Sequence, residues 1–209
     1  MIKIEDKRKV WVTSDTHFSH GNICRGTTNW RLPNGDIPES QTRDFPTLDK
    51  MNDTIVNNIN EVVGQEDVLI HFGDWSFGGF ENIQLLRDRI ICQEIHLILG
   101  NHDHHIDRNR ENCQRLFTSV QWFLQLNYMG ETIECLHYPI SSWNGLRKGR
   151  IHLHGHCHGN LMKSNQDYYK RKVLDVGCNV IDYTPISYQG VKDIMEKKII
   201  SSVDHHGED

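Results

Sequence analysis

Five short blocks in this chain set metal-ligating or proton-carrying side chains beside small residues. They are Asp15-Thr16-His17, Gly73-Asp74, Gly100-Asn101-His102-Asp103, Leu136-His137-Tyr138-Pro139 and Gly155-His156-Cys157-His158-Gly159. Each block alone is weak, because a lone strand histidine is more often a satisfied core residue than a ligand. Together they supply carboxylate, carboxamide and imidazole donors from short turns. Nitrogen and oxygen donors without thiolates suit Mn, Fe, Zn, Ni or Mg rather than Cu(I) or an iron–sulfur cluster. Glycines beside them let the backbone turn tightly and approach a bound group.

Most of the apolar runs end in such a block, and the ends of strands are where α/β proteins place their chemistry. The strand-like runs are 9–17, 67–75, 94–103, 120–128, 132–140, 150–156 and 173–179. Between some of them lie helical stripes. Leu48, Met51, Ile55, Ile59 and Val62 recur three or four apart, with Thr47 placed to cap the helix. A second helix is expected over 80–91, striped by Ile83, Leu86 and Ile90, and a third over 187–198. Strands alternating with helices, followed by a β-rich stretch, predict an α/β fold with a layered sheet core. One domain is expected over 1–209, with a loop insertion at about 25–45 that suits an active-site flap. An acidic tail after about 201 is expected to fray, and His205-His206 within it looks incidental, as does His104-His105.

Composition narrows the function. The chain has 209 residues, 37% of them hydrophobic, and a net charge of −5. That balance disfavours bulk electrostatic binding to duplex nucleic acid. No apolar run reaches the roughly 18 residues a membrane span needs, and the charged start lacks the pattern of a signal peptide. The expectation is a cytoplasmic protein, in the host's cytoplasm if a phage encodes it. The six cysteines are scattered with no CxxC pair, so reduced, packed thiols are expected, Cys157 among them.

The ordered blocks resemble the calcineurin-like metallophosphoesterases, whose pattern is D-x-H, G-D, G-N-H-D/E, H and G-H-x-H. The texts DTHFSHGNI, HYP, HGHCHG and the late DVG...PIS look most like the small single-domain phosphoesterases of bacteria and phages. The resemblance implies a four-layer sandwich of two mixed β-sheets flanked by helices. It implies two divalent ions, Mn2+ first among them. One would be held by Asp15, His17, Asp74 and His158, the other by Asp74, Asn101, His137 and His156. His102 would sit over the phosphoryl group as general acid, with Asp103 orienting it. Two ions about 3.5–4 Å apart share a hydroxide at neutral pH and clamp the phosphoryl oxygens. His152 and His154, upstream on the same strand, read as packed residues, with His154 the better candidate to orient a ligand.

The remaining candidates are substrate contacts. Asn22 and His20 follow the first block, and Arg43 and Arg147 are cations in reach of a phosphate if their loops fold over the site. Residues 145–150 and 168–172 form two basic clusters, the second with aromatics that could stack on a strand of nucleic acid. The function expected is metal-dependent hydrolysis of a small phosphate ester, nucleotides among the candidates, with diesters favoured because no arginine keeps a fixed spacing to the blocks. The alternatives are a phosphomonoesterase, a nuclease acting on nucleotides or single strands, and a scaffold that has lost catalysis. The seven ligand positions and His102 are all present, which ranks the scaffold low.

Overall fold

The computed structural model describes residues 1–4 and 8–201. The tail histidines His205 and His206, and the tail itself, lie outside the described residues. In chain order the elements begin β1 (Ile2–Ile4), β2 (Val10–Thr13), α1 (Leu48–Val62), β3 (Val68–His71), α2 (Phe80–Asp88), β4 (Glu94–Ile98), α3 (His104–Arg108) and β5 (Ser119–Gln121). They continue β6 (Phe123–Tyr128), β7 (Glu131–Leu136), β8 (Ile151–His154), α4 (Asn160–Ser164), α5 (Gln166–Lys170), β9 (Val173–Asp175), β10 (Ile186–Ser187) and α6 (Tyr188–Glu196).

The strands make two five-stranded sheets, ordered β1-β6-β7-β8-β9 and β10-β2-β3-β4-β5. Both are mixed. The first has its antiparallel pair at β6/β7, the second at β10/β2, and the other described pairs run parallel. β3 is buried at every residue, as a parallel strand covered on both faces must be. Its alternate side chains serve two different cores. Val68 and Ile70 join Val10, Val12 and Phe72 against Leu126, Ile133 and Leu153 of the facing sheet. Leu69 points the other way, into Met51, Ile55 and Ile59 of α1 and Ile83 and Leu86 of α2. On the far side, Trp143, Leu146, Tyr168 and Tyr169 cover Val173. The layers are therefore helix, sheet, sheet, helix, as the resemblance implied.

Local chemistry sets the ends of the helices. The Thr47 hydroxyl accepts the Lys50 N–H at 3.2 Å, a cap worth about 1 kcal/mol. Ser187 caps α6 in the same way through Gly190. α2 stops at Asp88, short of the expected 91. There the Asn60 amide donates to the Arg89 carbonyl and accepts the Ile91 N–H, taking over the bonds a continued helix would need. The run 120–128 is not one strand. Gln121 pairs with Ile98 in one sheet and Phe123 with Leu136 in the other, so the chain changes sheets at an exposed Trp122.

Candidate metal centre

All five blocks come together at one end of the sandwich, where the two sheets approach through a bridge between Ser14 and Gly177. Two clusters of ligating atoms form there. Asp15, His17 and His158 offer atoms within 4.8 Å of one another, and so do Asp74, His137 and His156. Asn101 joins the second cluster, its amide oxygen 3.2 Å from His137 Nε2. Asp74 links the two. Its Oδ2 lies 3.4 Å from His17 Nε2 and 3.6 Å from His137 Nε2, so one carboxylate oxygen faces both clusters. Each cluster draws on both sheets. Asp15, His17, Asp74 and Asn101 follow β2, β3 and β4, while His137, His156 and His158 follow β7 and β8.

The donor set fits divalent cations, because these atoms are poor company for one another without them. The Phe72 carbonyl can only accept, so His137 donates from Nδ1 at 2.6 Å and turns an Nε2 lone pair toward the Asn101 oxygen. The same reasoning applies to His158. Its Nδ1 donates to the Asn179 amide oxygen at 3.1 Å, which leaves an Nε2 lone pair 3.2 Å from His17 Nε2. Asp74 is buried beside a second carboxylate, Asp15. Burial first, and that repulsion second, push its carboxyl up to about 8. Cations at the two clusters would satisfy every one of these groups.

The backbone is strained where it brings these side chains together. Asp15, His17, Asp74, His156 and His158 all have left-handed backbones, with φ between 47° and 69°. Non-glycine residues rarely accept that conformation, and its clustering at one site marks a functional constraint. Glycine serves here as much by its missing side chain as by its flexibility. A Cβ on Gly100 would overlap Asp74 Oδ1, and one on Gly155 would overlap Ser14 Oγ. Gly155 is thus required by close approach, whereas Gly159 takes a positive φ of 79°.

A model of the calcineurin-like phosphoesterases matches residues 8–199. The chain belongs to this family. Among curated proteins it is similar to an uncharacterized protein of Methanocaldococcus jannaschii, with 28% identity over 94% of this chain and 97% of that one. It is also similar to the gene 66 protein of Mycobacterium phage D29, 28% identical over 74% of this chain and 81% of the other. A solved structure of a protein of unknown function from Aquifex aeolicus shares the fold at a TM-score of 0.65 and 20% identity, over 90% of this chain and all of that one.

Around the ligands, this phosphoesterase-family chain departs from several expectations. Asp103 does not meet the His102 ring. It is buried, and its carboxylate accepts the backbone N–H groups of Gly100 and Asp74 at 2.8 Å and of Trp75 at 2.9 Å. It therefore ties the turn carrying Asp74 to the turn carrying Asn101. Burial raises its carboxyl, and the three N–H groups oppose that shift. His102 is exposed at the mouth, its ring 5.4 Å from that of His17, and its backbone N–H donates to Asp74 Oδ1 at 2.8 Å. Burial against its neighbours, with the nearby imidazoles of His104 and His137, lowers its pKa.

Arg43 lies behind the centre, not over it. It is 1% exposed, and its guanidinium donates to the carbonyls of Asp15 at 2.5 Å and Thr16 at 2.7 Å and to the Asn179 side chain at 3.0 Å. Arg147 is exposed on the turn that feeds the start of β8, whereas the ligands follow that strand's other end. Asn22 accepts the Asn29 N–H at 3.0 Å and so shapes the loop after the first block. Tyr168 and Tyr169 are buried, with hydroxyls bonded to Ile140 O and His154, which removes them as a stacking surface.

His152 and His154 are fully buried and bonded at both ring nitrogens; burial pushes their pKa values down to about 4 and about 3 against the opposing pull of their backbone hydrogen bonds. His154 bonds the Gly155 carbonyl at 2.8 Å and thereby braces the ligand turn. The described cysteines are all free thiols, five buried and Cys157 half-buried.

Three supporting residues escape the sequence reading. His71 accepts from Gly73 N at 3.1 Å and bonds Thr16 Oγ1 at 3.0 Å, and Thr16 donates on to the Trp75 carbonyl. This chain of bonds locks the first turn to the second. Asp175 accepts from Gly159 N and Gly177 N, and Asn179 holds both His158 and Arg43. The available signal for the last two is that the run 173–179 ends, like the others, in polar residues beside glycine.

Proposed function

We propose that this chain hydrolyses small phosphate esters with two divalent ions, and that diesters are its preferred class. The observation that carries the reading is the Asp74 carboxylate shared between two clusters of ligand atoms. Divalent ions held there supply a nucleophile at neutral pH and charge to stabilise the phosphoryl oxygens. Mn2+ suits the mixture of imidazole, carboxylate and carboxamide donors.

The protein's own groups do the rest. Asp103, His71, Asp175 and Asn179 hold the ligand turns at fixed separations, which keeps the reacting geometry in place before substrate arrives. His102 carries the proton for the leaving oxygen. Its ring makes no hydrogen bond among the described residues, so it is free to meet a substrate at the mouth. An arriving phosphoryl anion favours the protonated ring, and the proton is then on hand when the ester bond breaks.

Preference for a diester rests on charge. A monoester dianion gains from extra cations beside the ions, but Arg43 is spent on backbone carbonyls and Arg147 lies at the other end of β8. Beside His102 and outside both clusters lie the rings of His20 and Phe77, a neutral wall that suits a singly charged ester with a second organic substituent.

The test is direct. Protein stripped with chelator and reloaded with Mn2+ is assayed on bis(p-nitrophenyl) phosphate and on p-nitrophenyl phosphate, beside Asp74→Asn. Metal-dependent turnover that favours the diester and disappears in the variant supports the reading. A monoester preference overturns the diester assignment, and full metal loading without turnover on either ester overturns the hydrolase.

A further inference from the structure

A continuous aromatic surface runs outward from the metal centre. The backbones of the first two blocks continue side by side beyond the sheet, joined by a bridge between Phe18 and Ser76 and by the Phe77 N–H to Phe18 carbonyl bond of 2.8 Å. This pairing sets His20 flat against Phe77, with ring centroids 3.8 Å apart and planes 18° from parallel. Phe77 is in turn 5.1 Å from the His102 ring. Trp30 closes the outer side, edge-on to His20 at 6.0 Å and 87°.

Packing alone does not account for this surface. Trp30 is 37% exposed, Phe77 and His20 are only half-buried, and His20 Nδ1 is buried with no hydrogen-bond partner among the described residues. An orphaned ring nitrogen costs stability that an apolar side chain would not. The loop carrying Trp30 is also held in shape. Asn22 accepts the Asn29 N–H, and the buried Thr28 accepts the Trp30 N–H at 3.1 Å. Aromatic faces held open beside a reaction centre offer a planar group both apolar contact and favourable ring–ring geometry.

We propose that Phe77, His20 and Trp30 form a shelf that selects phosphate esters carrying a flat aromatic substituent, of the aryl or nucleobase kind, seated beside His102. The assignment rests on the phosphoesterase reading above and narrows it from any small diester to those with a planar group. Stacking on the shelf places the substituent's ester oxygen toward His102 and leaves the phosphoryl group over the Asp74 carboxylate. Open alkyl esters reach the same centre without that contact.

The test is binding to Mn2+-loaded protein by calorimetry, which needs no turnover. The probes are the methyl monoesters of phenylphosphonate and of methylphosphonate, two diester mimics of equal charge whose P–C bond resists hydrolysis and whose remaining ester has the poor leaving group methoxide. The expected result is an aryl probe bound about fivefold to tenfold more tightly than the methyl probe. That ratio falls toward one in Trp30→Ala and in Phe77→Leu and is retained in Trp30→Phe, which separates ring stacking from a general loosening of the loop. Both probes binding equally in the wild type, or a ratio that Trp30→Ala and Phe77→Leu leave intact, overturns the shelf and spares the hydrolase. Neither probe binding the loaded protein also overturns the shelf, while turnover on the two nitrophenyl esters decides the hydrolase separately.

Discussion

The carboxylate of Asp103 accepts the backbone N–H of Asp74 at 2.8 Å. The two residues come from turns after different strands, and the same carboxylate also reaches Gly100 and Trp75. Asp103→Asn keeps the shape but loses an acceptor, so the turn that presents Asp74 loosens. Metal affinity is expected to fall about 10–100-fold, read by titrating Mn2+ into chelator-stripped protein. If kcat falls while metal affinity is unchanged, Asp103 serves His102 and this account of it is wrong.

Without cations, burial and Asp15 push the Asp74 carboxyl up to about 8. It is protonated at pH 7 and ionised at pH 9, while a ligand must be ionised to bind metal. Metal uptake at pH 7 should therefore release a proton from Asp74 that uptake at pH 9 does not. Calorimetry in two buffers of different ionisation enthalpy counts it. Equal proton release at both values would remove Asp74 as the source.

Arg43→Ala strips partners from the carbonyls of Asp15 and Thr16 and from Asn179, all of them under the ligand turn. The expected cost is about 2–4 kcal/mol in urea unfolding of the metal-free protein. Arg43→Lys recovers little, because an ammonium cannot span three acceptors as a planar fork does. A variant of unchanged stability that raises KM alone would return Arg43 to the substrate.

His154 is buried neutral, its pKa pushed down by burial to about 3 from an ordinary 6.5. The unfolded chain binds a proton at this position below 6.5 and the folded chain does not until about 3. The residue's contribution to stability is thus complete above 6.5 and lost as pH falls toward 3. His154→Phe lacks this dependence, so it should gain on the wild type by about 1.4 kcal/mol per pH unit through that window. Parallel stability–pH curves would show that the imidazole is solvated in the folded state.

The sequence carries the clustered blocks openly because the clusters are built from side chains, and side-chain type and order are what a sequence displays. Asp15, Asp74 and His158 are readable for that reason. Asp103 stands within a block yet takes another role, since its partners are backbone N–H groups that every residue but proline has. Arg43 lies in a stretch with no periodicity, and its work is likewise done on carbonyls. The alternating apolar run at 120–128 reads as one strand because both sheets ask for the same pattern. Only the exposed Trp122, a fact of three dimensions, shows where the chain crosses. The layer order came from family resemblance rather than from periodicity, which fixes faces but not how many faces stack.

Each candidate cluster draws side chains from both sheets, and the first joins Asp15 and His17 to His158. Those residues enter the world far apart in time, since a ribosome makes the chain from its first residue onward. An ion that meets the nascent protein finds half a site until β8 and the turn after it have been made and docked. Full coordination is therefore open only to a chain made and docked at least through His158, and one that stops short of it or mispairs forfeits the ion rather than exposing a half-built centre.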